Sequence, residues 1–268
     1  MSAVLVVTPT LGTSPWLAET VASVAQLPVA CRHVLVCPAA VRADLEKKFP
    51  KTLVVTEPGG GMYAAINAGL AAVPDWGAFT YINDDDLLLP GFAAHARALA
   101  DAGTRPLVAY GKVKLIDGQG RRLGAIPVSQ FPSMNHALYA QRIEPVYQHG
   151  TLVTRAALAA LRGFDEAFRY CGDSEFLARA CISGVPFVRT GGRAVAAFRL
   201  RTGQLTKNRA AMVAERAAVD VKLGLIGSQP RLRRWLARLA FRAENLPVYA
   251  ERVVRHGFVS FDELLAQA

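Results

Sequence analysis

Four short apolar runs set apart by amphipathic stretches constrain this chain more than any other feature. Ala3–Val7, His33–Cys37, Thr52–Thr56 and Ala78–Ile82 are each five residues long. They are too short for buried helices and read as fully buried, parallel-type strands. Between them the spacing turns helical. Trp16, Thr20, Val21 and Val24 share one face of a helix over Trp16–Gln26, with Ser14 as cap and Pro15 suited to the first turn. Ala39–Phe49, Met62–Ala72 (opened by Gly59-Gly60-Gly61) and Gly91–Ala102 read the same way. Strand and helix alternating at this pace predict an α/β fold, a mostly parallel sheet with helices on both faces. Ligands of such sheets sit at the carboxyl ends of the strands, where Thr8-Pro9-Thr10 and the acids after Ile82 both fall.

After Leu107 the rhythm changes. Val108–Ile116 and Arg122–Ile126 flank Asp117-Gly118-Gln119-Gly120, a hairpin signal. Phe131–Gln148 reads as irregular. Helices are expected over Ala156–Leu161, Ser174–Ser183 and Ala210–Leu223, and short strands at Phe187–Val188 and Ala194–Leu200. Gly224–Pro230 reads as a linker, so residues 1–224 form the expected main domain and 225–268 a basic helical extension.

A hydrophobic content of 52% and a mean hydropathy of +0.22 provide for a substantial core. No stretch reaches the ~20 apolar residues that span a bilayer. Met1–Val7 lacks a basic leader and cleavage site, so a cytoplasmic protein is expected. Cys31, Cys37, Cys171 and Cys181 show no paired spacing and read as reduced thiols, and the five histidines show none of the spacings of a zinc site. The net charge of +10 favours an anionic partner.

The run Asn83-Asp84-Asp85-Asp86 gathers three carboxylates at one strand end. Such charges need a counter-ion, and hard oxygen ligands suit Mg²⁺ or Mn²⁺, which often carry a substrate diphosphate. A solvated acidic turn is the alternative. The glycines before Met62 are not a Walker loop, since no Gly-Lys-Ser/Thr follows. They let the backbone approach a ligand or merely turn into the helix.

Four segments, in order, resemble the inverting GT-A glycosyltransferases, particularly the family 2 group that builds bacterial surface polysaccharides. Thr8-Pro9-Thr10 resembles the end of that family's first strand. Thr56-Glu57-Pro58-Gly59-Gly60-Gly61-Met62-Tyr63-Ala64-Ala65-Ile66-Asn67-Ala68-Gly69 resembles its Ser-Glu-Pro-Asp-x-Gly-Ile-Tyr-Asp-Ala-Met-Asn-x-Gly segment. Asn83–Asp86 with Pro90 resembles its DxD region, and Gly163-Phe164-Asp165-Glu166 with Gly172-Asp173-Ser174-Glu175 its Gly-Gly-Phe-Asp-Glu and acid-x-acid segments. The likeness runs from about Val4 to Leu205. Two departures bear on the donor base: Cys37-Pro38 stands where the family has an acid, and Gly59 and Ala64 replace two more.

The resemblance implies a metal-dependent transfer from a UDP-, dTDP- or GDP-linked sugar to a glycan or lipid-linked acceptor. It puts Asp85 on the metal, and Thr8, Pro9, Thr10, Gly61, Asn67, Asn83, Asp84 and Asp86 around the nucleotide sugar. It makes Asp173 the base that deprotonates the acceptor hydroxyl, as inversion requires. A helix N-terminus would lower its pKa, and an ordinary cap is compatible with that role. Glu175 is expected to orient groups or bind acceptor. His149 falls on the acceptor side by resemblance, or is a hydrogen-bonded structural group. Arg199, Arg201 and Lys207 form either a mobile flap closing on the diphosphate or a solvated basic loop.

Arg231–Arg242 carries five arginines and no acid. Leu232, Trp235, Leu236 and Leu239 share one helical face, with Arg231, Arg234, Arg238 and Arg242 largely opposite. Such a helix lies on an anionic membrane surface, here the inner face, or packs its apolar stripe on the domain, the commoner fate. Nucleic acid is disfavoured, because the basic residues are dispersed and no aromatic-studded motif accompanies them. Two rival functions stay open: a nucleotidyltransferase acting on sugar phosphates, which normally shows a basic Gly-rich loop after the first strand, and a degenerate homologue that only binds nucleotide.

Overall fold

The computed structural model describes residues 3–201, 208–259 and 263–264. Its first half follows the alternation: β1 (Val4–Pro9), α1 (Leu17–Ala25), β2 (Cys31–Cys37), α2 (Ala39–Lys48), β3 (Leu53–Thr56), α3 (Met62–Ala71), β4 (Ala78–Tyr81) and, beyond the acids, α4 (Ala93–Ala102). β1 pairs in parallel with both β2 and β4, and β2 with β3. Because side chains alternate along a strand, Leu5, Val7, Val34 and Val36 meet Tyr63 and Ile66 of α3 on one face. Val4, Val6, Ala78 and Ile82 pack with Val24 and Phe92 on the other. Helix α3 lies flush on the sheet: a Cβ at Gly69 would stand 2.7 Å from Val7 Cγ1.

The sheet extends to seven strands in the order β10-β6-β9-β4-β1-β2-β3, with β6 at Val108–Tyr110, β9 at Leu152–Thr154 and β10 at Phe187–Arg189. β9 runs antiparallel to both of its neighbours. The remaining pairs are parallel.

One expectation fails here. Val108–Ile116 is not a single strand: it breaks at Gly111 and changes sheets, with β7 (Val113–Ile116) entering a second, four-stranded sheet. That sheet is ordered β5 (Leu87–Leu88), β11 (Ala196–Arg199), β7, β8 (Arg122–Ala125). Glycine permits close packing at the break, since a Cβ on Gly111 would approach Val195 Cγ1 to 2.6 Å. The expected hairpin forms between β7 and β8, with a bulge at Leu115/Ile116. The segment read as irregular also holds a short buried helix, α5 (Asn135–Tyr139). At five residues it has no stability of its own and exists through packing.

Helices α6 (Arg155–Leu161), α7 (Gly172–Ile182) and α8 (Arg209–Lys222) fall where the spacing placed them. The C-terminal pair, α9 (Arg231–Glu244) and α10 (Leu246–His256), departs from the favoured reading. Ala237 and Phe241 of α9 pack on Ala137 and Leu138 of α5, while Leu232, Trp235, Leu236 and Leu239 face outward. The inward face is built of small and aromatic groups at 237 and 241, which hydropathy ranks below a Leu/Trp stripe. Among the described residues no helix is long and apolar enough to cross a membrane.

Candidate active site

The acid run forms a tight turn after β4, closed by the Asp86 amide donating to the Asn83 carbonyl at 3.2 Å. Each carboxylate has its own protein partner. Thr10, at the end of β1, donates its hydroxyl to Asp84 Oδ2 at 2.5 Å, and Ser14 bonds the Asp84 carbonyl at 2.8 Å. Arg201 Nε contacts Asp85 Oδ2 at 2.5 Å. Asp86, fully buried, accepts the Arg199 amide at 2.7 Å and Asn83 Nδ2 at 3.1 Å, and His149 Nε2 stands 3.3 Å from Oδ2. Of these partners Arg201, just after β11, brings a full positive charge to a carboxylate, and the remaining hydrogen-bond donors are neutral.

Arg199 corrects the flap expectation. It ends a strand, is wholly buried, and donates to the Asp85, Asp117 and Gly118 carbonyls and to Glu19 Oε2 at 2.7 Å. Its guanidinium and that of Arg201 both lie over the Trp16 ring, at 5.3 and 5.6 Å. Trp16 read only as a helix-face residue; it is the platform on which these two cations are arranged. Lys207, the third member of that expectation, lies outside the described residues.

Burial raises the carboxyl pKa of Asp84 above its ordinary value against the Thr10 hydrogen bond. For Asp85, burial first and the adjacent Asp86 second push it up to about 6, with Arg201 opposing. Among the described residues no three His, Cys, Asp or Glu side chains gather as a ready-made metal cage. Asp85 alone still fits a Mg²⁺ or Mn²⁺ ion, which keeps waters and draws most of its ligands from phosphates. Such an ion would compete with Arg201 for the carboxylate.

The second half of the candidate site is the start of α7. Asp173 stands one residue inside the helix, whose cap is Cys171. Tyr63 grips it twice: the phenol donates to Asp173 Oδ1 at 3.1 Å, and the Asp173 amide donates to the phenol oxygen at 3.0 Å. Gly172 permits this approach, since a Cβ there would lie 2.5 Å from the Tyr63 ring. The expected lowering of the Asp173 pKa does not hold. Burial raises it, outweighing the Ser174 amide, His149 and the Tyr63 hydroxyl, which all favour the charged form. The helix end contributes, but desolvation is the larger effect.

His149 links the two halves. Its ring is buried, packs tilted against Phe198 with centroids 4.3 Å apart, and has no hydrogen-bond partner on either nitrogen at good geometry. It lies against Asp86 and close enough to Asp173 to favour that group's ionisation.

Several expected ligand contacts are instead internal. Both ends of the Asn67 amide are engaged by the 164–166 turn: Nδ2 donates to the Phe164 carbonyl and Glu166 Oε1, and Oδ1 accepts the Phe164 amide. Glu175 is fully buried and held by Arg179 at 2.9 Å and Lys222 at 2.6 Å, so it faces no acceptor. Thr8 is buried with its hydroxyl 3.0 Å from His33 Nε2, and Asp86 has no free face. Pro9 and Asn83 are half-buried at the rim. Gly59, Gly60 and Gly61 have φ of +83°, +93° and +100°, so the backbone itself requires glycine there. Tyr63, Trp16 and Glu19 are neighbours of the candidate site that spacing missed. Only the Tyr within the Met62–Asn67 segment carried a signal, through its match to the family's Tyr.

No protein-family model matches the sequence, and no curated protein matches it. Solved structures do. Residues 1–349 of TarS from S. aureus, in complex with UDP-GlcNAc, superpose with a TM-score of 0.62 at 14% identity, covering 98% of this chain and 77% of that one. A longer TarS structure gives 0.61 at 15% identity, and this chain spans only 44% of its length. The mannosyltransferase PcManGT from Pyrobaculum calidifontis, in complex with GDP-Man and Mn²⁺, gives 0.58 at 14% identity over 99% of this chain and 79% of that one. The chain has the mixed α/β fold of these glycosyltransferases.

Proposed function

We propose that the chain is an inverting glycosyltransferase of the GT-A family 2 type. It would take a sugar from a UDP-, dTDP- or GDP-linked donor and pass it to a hydroxyl of a glycan or lipid-linked acceptor. One observation carries this reading: a partly buried carboxylate with raised pKa, Asp173, lies near His149, whose ring stands beside an acid turn at the carboxyl ends of β1 and β4. Structures sharing the fold were solved with UDP-GlcNAc and GDP-Man, which supports a nucleotide-sugar donor.

The chemistry follows from the groups present. An acceptor hydroxyl approaches Asp173, whose carboxylate takes the proton as the oxygen attacks the anomeric carbon. The bond to the donor diphosphate breaks on the opposite face, and the diphosphate leaves with the electron pair. Tyr63 fixes the carboxylate, and the raised pKa makes it a stronger base than an exposed aspartate. Arg201 brings positive charge beside the acid turn. Asp85 would hold Mn²⁺ or Mg²⁺, which when bound stabilises charge on the leaving phosphates as a Lewis acid.

Asp173→Asn is expected to retain nucleotide binding by calorimetry with UDP, GDP and dTDP plus Mn²⁺, while kcat falls by about 10²–10⁴-fold. An unchanged kcat would remove Asp173 from the base role. Wild-type kcat should also decline as pH falls through the raised Asp173 pKa. Release of pyrophosphate from a nucleoside triphosphate and a sugar phosphate would instead identify a nucleotidyltransferase.

A further inference from the structure

We propose that the outward face of α9 and α10 docks on the surface of an anionic lipid bilayer. The proposal stands independently of the reaction assigned above. Helix α9 has two apolar faces. Ala237 and Phe241 point into the molecule, whereas Leu232, Trp235, Leu236 and Leu239 span ~100° of arc on nearly the opposite side. Trp235 is 59% exposed and Leu232 68%. Leu246 and Val254 of α10, and Phe258 just beyond its end, are exposed as well, Phe258 by 97%.

This surface is held in place. Asn245, buried between the two helices, accepts the Val128 amide at 3.2 Å and donates to the carbonyls of Val128 and Phe241 at 3.1 and 2.8 Å. Leucine, tryptophan and phenylalanine are thus kept in water by a scaffold that offers them no internal site.

The occupant follows from charge. Arg231, Arg238 and Arg242 line one flank of the α9 stripe and Arg233 the other, and none of these four forms an ion pair among the described residues. Beside the stripe, Arg142, Arg231, Arg234 and Arg238 with Trp235 and Ile226 enclose a groove of about 440 Å³, where Arg234 Nε is buried without a hydrogen-bond partner. Apolar groups flanked by arginines fit the boundary between acyl chains and phosphates, with Trp at headgroup depth and the groove open to a lipid phosphate. A second copy fits poorly, because a two-fold contact would set arginines against arginines. A nucleic acid would satisfy the arginines but leave the Leu/Trp stripe in water.

The test is sedimentation of the full chain with vesicles of phosphatidylcholine alone or with about one-third phosphatidylglycerol. Binding is expected on the anionic vesicles only, weakening with salt. Arg231→Gln/Arg238→Gln should weaken it about 25-fold, at about fivefold per arginine. Trp235→Ser/Leu239→Ser should weaken it by roughly tenfold or more. These side chains are exposed, so all variants should melt like wild type. Absence of anionic-vesicle binding by the folded chain, or equal binding to neutral vesicles, would overturn the proposal. A dimer that Trp235→Ser/Leu239→Ser dissolves would equally overturn it and assign the face to a second copy.

Discussion

A guanidinium taken wholly out of water destabilises a fold unless its donors are engaged, and Arg199 meets that condition with three backbone carbonyls and Glu19. Asp85 is the opposite case: a carboxylate 4% exposed, beside Asp86, with one cationic neighbour at its oxygen. Its pKa of about 6 means the folded chain holds a proton that the unfolded chain, near 3.8, has already released. Stability therefore falls as pH rises between those two values and stays lower above them. Asp85→Asn should remove this pH dependence, adding about 1–3 kcal/mol near pH 7.5 and nothing near pH 4, allowing for the lost ion pair with Arg201. Urea unfolding at the two pH values would measure it, and an equal gain at both would contradict the assignment. Composition alone marked the acid run as a charge cluster that needs compensation. The separate fates of its members were not, because Thr10, Arg201 and His149 approach from distant parts of the chain.

Single elements follow local rules where periodicity is strong. The first four strands and the helices between them lie within about two residues of their expected bounds, since burial on both faces leaves a short, unbroken apolar signature. Val108–Ile116 shows the limit. Its apolar character says it is buried, but not that it divides at Gly111 between two sheets, where the missing Cβ leaves room for Val195. The start of α7 depends on the same kind of close approach. Gly172→Ala should push the Tyr63 ring away from Asp173, lowering kcat by about 10- to 100-fold while the melting temperature stays within a few degrees. If kcat held while stability fell, Tyr63 would be a packing residue and not a positioning one.

At the scale of the whole molecule, Arg199 and Arg201 reach the acid turn because β11, more than a hundred residues after it, pairs with β5 directly beyond it. The same long-range logic attaches the C-terminal helices. Asn245 joins α9 and α10 to residues 128–130, aided by Glu244 accepting the Gln130 amide at 2.9 Å. Asn245→Ala should leave the Val128 groups unpaired and cost about 1–3 kcal/mol in chemical denaturation. A loss below about 0.5 kcal/mol would show that water replaces the amide. By itself the sequence determined the α/β class, because hydrophobic period is a local property, and it carried the motifs whose family resemblance implies the candidate roles of Asp85 and Asp173. Tertiary structure alone decided that Arg199, Asn67 and Glu175 are internal supports, that Asp173 has a raised pKa, and that the α9 stripe faces outward. Those outcomes depend on which groups meet across the fold and how much water they exclude, and neither quantity is written in the spacing of residues along a chain.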